Sequence, residues 1–194
     1  MLRAILVLAA LSVLSVPVAA HTGATGTSGL AVGFSHPLGG LDHVLAMVAV
    51  GLLAVGQGGR WTWALPAAFV GMMVLGGVAG MAGAPMPAVE LGIQGSAVVL
   101  GLAIAAGNRC PGPLALVLVA GLALFHGHAH GTEMPAAIAA VEYGIGFAVA
   151  TLLLHGAGLG LGAVPRLLGR EFARPAGAVG GLAIAALGLT VLIG

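Results

Sequence analysis

The stretch His36-Pro37-Leu38-Gly39-Gly40-Leu41-Asp42-His43-Val44-Leu45-Ala46-Met47 sets two imidazoles and a carboxylate at the mouth of an apolar segment. Near the bilayer centre an Asp or a charged His costs roughly 2 to 4 kcal/mol, so such groups persist where they face a partner, an ion or a water-filled cavity. On a helix Asp42 and His43 point about 100° apart, whereas His43 and Met47 are four apart and share a face. Pro37 biases His36 toward an extended backbone, and Gly39-Gly40 permit a sharp turn into the helix. His36 therefore approaches from outside the helix, and two nitrogens and an oxygen can converge on one cation.

The surroundings of this stretch decide the class. Of 194 residues, 60% are hydrophobic and 6% are charged, with a mean hydropathy of +1.17; a soluble domain carries about 25% charged residues. The chain reads as all-α, a single polytopic transmembrane helix bundle. It contains no lysine, which removes ATP hydrolysis by a P-loop, and no basic patch that would hold nucleic acid. With Cys110 as the one cysteine there is neither an intramolecular disulfide framework nor a thiolate cluster. The H-E-x-x-H and G-x-S-x-G frames are missing, and Ser96 sits in no such frame, so no enzyme is expected.

Residues 1–20 read as a cleaved signal peptide: Arg3, an apolar run over 4–16, then Pro17-Val18-Ala19-Ala20. That leaves 21–194 as one six-helix transmembrane domain starting at His21, whose free amine and imidazole are a candidate for metal capture. Residues 22–35, rich in Gly, Thr and Ser, are expected to be a flexible lead-in. Six apolar segments follow, over 41–55, 61–81, 87–106, 113–130, 135–159 and 175–193, each near the roughly 20 residues a membrane helix needs. The first is short, which suits a re-entrant His-Pro loop before it. Four others begin at or near a proline, where a missing N–H costs least. Gly76/Gly80, Gly127/Gly131, Gly158/Gly162 and Gly177/Gly181 are small-xxx-small pairs of the kind that let helices approach closely.

Arg60, Arg109 and the group Arg166, Arg170 and Arg174 fall in alternate loops, which the positive-inside rule makes cytoplasmic. Both mature termini then lie in the periplasm. Helices 1 to 3 and 4 to 6 acquire opposite orientations, the arrangement of an inverted repeat, although the halves share no clear sequence identity.

The same topology gathers polar residues at the outer end. His126 and His130 are at i and i+4, Glu133 at i+7 stays near their stripe, and His128 turns about 200° from His126. Glu90 lies one turn into the third helix. The candidate metal ligands are thus His36, Asp42, His43, Glu90, His126, His130 and Glu133. Glu142, about 10 Å into the fifth helix at 1.5 Å per residue, and His155, toward its cytoplasmic end, are candidates for an inner path, with packing the favoured role for His155. The methionines read mainly as core fillers, with Met47 a neighbour of the site. Phe69 reads as packing.

The run from His36 to Gly51 resembles the signature of the HupE/UreJ family, and Phe125-His126-Gly127-His128-Ala129-His130-Gly131-Thr132-Glu133 is similar to that family's second motif. The resemblance spans essentially the whole chain. It implies a nickel(II) permease of a bacterial inner membrane, with Ni²⁺ as transported substrate, no organic cofactor, and a functional link to hydrogenase or urease. Imidazole and carboxylate suit several divalent ions, so ligand types alone leave cobalt or another divalent metal open. A non-transporting, metal-binding accessory protein is also left open, as is a homo-oligomer.

Overall fold

The computed structural model describes residues 28–134 and 138–194. The signal-peptide assignment and His21 lie outside the described residues. Within them the order is α1 (Gly29–Ser35), a 3₁₀ turn (His36–Leu38), α2 (Leu41–Gln57), α3 (Trp61–Met81), α4 (Val89–Ala106), a second 3₁₀ turn (Gly107–Arg109), α5 (Gly112–Glu133), α6 (Ala140–Leu168) and α7 (Arg170–Ile193). There is no strand among them.

Helices α3 to α7 are each long and apolar enough to cross a membrane. A sixth such segment exists only when Gly29–Leu38 and Leu41–Gln57 are taken together, as a pair bent by 82°. The bend lies at the Gly39-Gly40 break, where Gly40 is extended and caps α2. Apolar side chains are not confined to the core: Trp63, Leu167, Val179 and Ile193 stay largely exposed. A helix bundle that is apolar outside as well as inside is suited to lipid.

Residues 29–35 depart from the flexible lead-in expected of them. They form a helix because Ser28 caps it, its hydroxyl accepting from the Ala31 N–H at 3.3 Å, and because its glycines touch α6. A Cβ on Gly33 would run into the Tyr143 carbonyl, and one on Gly146 into that of Leu30. Glycines that look like flexibility in the sequence are close-packing contacts here.

The proline starts also need correction. The fourth apolar segment does start at Gly112-Pro113, but α4 begins at Val89 after Ala88 adopts a left-handed φ of 55°. Helix α6 begins at Ala140 and runs to Leu168 with Pro165 inside it, and α7 begins at Arg170 with Pro175 inside it. The expected arginine loop shrinks to a joint at Gly169, whose φ of 141° interrupts the two helices.

Pairing follows the small residues. Helix α3 packs chiefly on α5, α4 on α7, and α2 on α6. Gly76, Gly80, Gly127 and Gly131 all lie at the α3–α5 contact, where a Cβ on any of them would meet opposing backbone. Gly51 and Gly158 do the same between α2 and α6, and Gly101 and Gly181 between α4 and α7. Gly177, by contrast, faces open space.

At one end of the bundle Gln57 donates to the Cys110 carbonyl at 2.8 Å and Arg166 to that of Gly56 at 3.1 Å. Arg109, Arg166 and Arg174 line one cavity there. The histidines of α2 and α5 meet at the other end.

Candidate metal-binding site

Three elements converge at the histidine end. Asp42 and His43 sit in the first turn of α2, where a carboxylate is favoured by the helix dipole. One Asp42 oxygen accepts both the His43 backbone N–H at 2.9 Å and the His43 Nδ1–H at 2.8 Å. With Nδ1 protonated, the neutral ring keeps its lone pair on Nε2. That Nε2 lies 3.0 Å from Nε2 of His130, which arrives from α5.

His126, one turn before His130 on α5, is fully buried, with its ring centroid 5.0 Å from that of His43. The single hydroxyl proton of Ser96 goes to the Ile93 carbonyl at 2.6 Å, so at 3.0 Å Ser96 Oγ accepts from His126 Nε2–H. The His126 lone pair is then on Nδ1, a buried atom with no hydrogen-bond partner among the described residues. Nδ1 of His130 is buried and unpartnered in the same way. Buried polar groups left without partners are uncommon in folded proteins and point to a ligand or water in such places.

His43, His126 and His130 bring one ligand atom each to within 4.8 Å of one another, and so do His36, His130 and Glu133. The two groups share His130. The first is mostly buried, while the second ends in an exposed carboxylate. His36 stands edge-on to His130 with ring centroids 4.7 Å apart, and Phe147 backs the His130 ring at 4.2 Å.

Other expected members are elsewhere. Glu90 is exposed at the start of α4 and joins neither group. His128 faces away from both groups, its Nε2 donating to the Ala84 carbonyl at 2.6 Å. Glu142 is not the deep carboxylate expected of it: α6 starts at Ala140 rather than at Pro135, so Glu142 is exposed in the first turn. His155 is 1% exposed in the middle of α6. Met47 is fully buried in the core.

Four participants escaped the sequence reading. Ser96 lies in no catalytic frame, yet it sets the His126 tautomer. Tyr143 and Phe147, one turn apart on α6, wall the His36 side, with ring centroids 5.9 and 6.2 Å from that of His36. Phe69 lies between His126 and His155. Only the i, i+4 spacing of Tyr143 and Phe147 was visible beforehand, and apolar helices offer many such pairs.

Comparison with known proteins identifies the family. The family model described as HupE / UreJ protein matches residues 8–191. Protein HupE of Rhizobium leguminosarum bv. viciae is 45% identical over 169 residues, which cover 87% of this chain and 88% of that protein. No solved structure matches.

Proposed function

The chain belongs to the HupE/UreJ family, and from that premise we propose that it is an inner-membrane permease for a divalent first-row metal, nickel(II) foremost, serving a hydrogenase or urease. The observation that carries this reading is the 3.0 Å approach of His43 Nε2 and His130 Nε2 from two different helices. Imidazole nitrogens held this close from two helices can be taken by one ion, and because such donors suit nickel, cobalt, copper and zinc alike, the preference for nickel rests on the family.

Capture begins at the exposed group, where the Glu133 carboxylate attracts the hydrated cation and His36 and His130 begin to replace its water. Because His130 belongs to both groups, the ion passes inward without losing every ligand at once. As the ion enters between the two Nε2 atoms, His130 gives its Nε2 proton to water that accompanies the ion and takes one at Nδ1, so the transfer needs no net proton release. Asp42 acts through His43: by holding Nδ1–H it keeps the lone pair aimed at the ion, and such carboxylate partners also raise imidazole basicity.

The test is ⁶³Ni uptake into liposomes by purified protein at matched abundance. His43→Gln and His130→Gln are expected to abolish high-affinity uptake. Asp42→Asn should reduce it 10- to 100-fold, the usual effect of losing a ligand's hydrogen-bond partner. His128→Gln should leave it intact. Wild-type rates from both the His43 and His130 variants would sink the reading.

A further inference from the structure

Below the paired groups the rings continue in a column. His43 and His126 are 5.0 Å apart by centroid, His126 and Phe69 5.8 Å, and Phe69 and His155 5.1 Å, the last at 90°. Phe69 is fully buried. His155 is 1% exposed, and neither of its ring nitrogens has a hydrogen-bond partner among the described residues. The other buried histidines each have at least one: Ser96 for His126, the Ala84 carbonyl for His128 and His43 for His130. A fully buried imidazole with two unmet nitrogens, well inside an apolar bundle, is what an intramembrane ion pathway requires and what packing alone disfavours.

We infer that His155, with Thr151 and Met73, forms a second, inner metal-binding station, and that the Phe69 ring is the septum dividing it from the outer imidazoles. Thr151 lies one turn before His155 on the same face of α6 and is fully buried. The Thr151 hydroxyl contacts the Met73 sulfur from α3 at 4.0 Å. An imidazole, a hydroxyl and a thioether make a neutral, borderline-soft donor set suited to nickel, cobalt or copper. Without a carboxylate it holds a dication less firmly than the outer groups, which suits transit rather than capture. Further along α6, Leu161 and Gly162 line an open cleft of about 990 Å³ that takes in Arg166 at the arginine end. An ion leaving His155 thus has open space about 9 Å away along the helix axis, at 1.5 Å per residue.

The inference rests on the metal-handling reading above, and binding is therefore measured apart from transport. Equilibrium dialysis of purified full-length protein against saturating ⁶³Ni is expected to show His155→Leu binding one ion fewer than wild type, with its tight site unchanged. His155→Met, which restores a donor atom, should regain that ion, a rescue that a packing role would not produce. In liposomes His155→Leu should lower the maximal rate 10- to 100-fold with little change in KM and no rescue by excess nickel. Phe69→Ala should raise the passive metal leak, and Phe69→Leu should not. Wild-type stoichiometry in His155→Leu would overturn the station whatever the transport result, and an unchanged leak in Phe69→Ala would overturn the septum. A wild-type protein that binds nickel but moves none sinks the permease instead, while the dialysis still scores the station.

Discussion

At the scale of single residues, chemistry turns on which nitrogen of each histidine is free. Asp42 decides this for His43 and Ser96 for His126, and neither decision is readable from spacing. An imidazole ligates only when neutral, so protons compete with metal as pH falls. The sign is that binding and uptake are full at alkaline pH and do not rise on acidification. The check is ⁶³Ni binding and uptake from pH 8 to pH 5 in buffers that do not complex nickel. Binding that strengthens as pH falls would show that the histidines are not ligands.

At the scale of helices, glycine does two unlike jobs. At Gly127 it removes the side chain so that α5 can lie on α3, since a Cβ there would collide with the Met73 carbonyl. Gly144 has no neighbouring atom within 4 Å of where its Cβ would be. Gly127→Ala must push two helices apart and should cost at least the roughly 1 to 3 kcal/mol typical of overpacking, along with the register of His126 and His130. Gly144→Ala should be neutral or stabilising by up to about 1 kcal/mol through helix propensity. Thermal unfolding of the detergent-solubilised variants checks both, and equal melting temperatures would mean that the α3–α5 contact is looser than described. The same distinction explains α1: composition around residues 22–35 suggests a mobile lead-in, but Gly29 and Gly33 are buried against α6.

At the scale of the molecule, the helix pairing is only partly two-fold. Exchanging α2–α4 with α5–α7 turns the α2–α6 contact into α5–α3 and maps α4–α7 onto itself, but α2 also packs on α4 with no matching α5–α7 contact among the described residues, so the inverted repeat expected from the topology is incomplete. The histidine and arginine ends are opposite ends of this bundle, so orientation can be read at exposed positions. If the arginine end is cytoplasmic, Pro85→Cys in the α3–α4 loop should react with an impermeant maleimide from the periplasm. Glu171→Cys, beside the Gly169 joint, should react only after permeabilisation. Native Cys110, 4% exposed and with its thiol pKa pushed up by burial, should stay silent in both. The reverse labelling pattern would invert the proposed direction of transport.

Much of this was determined by sequence alone, because apolar runs of bilayer length, breaks between them and helical spacing are local properties. They gave an all-helical, membrane-suited bundle, the family, the i, i+4 relation of His126 and His130, and the turn of His128 away from them. Helix ends were less legible: Pro165 and Pro175 are tolerated inside helices near their termini, and Gly169 alone breaks the α6–α7 run. Only the tertiary structure brought His43 against His130 across 87 residues, left Glu90 and Glu142 outside, and stacked Phe69 between His126 and His155. Those relations depend on which helix lies beside which, and that is decided by where small residues let two backbones touch, a property of pairs of surfaces that no single segment carries.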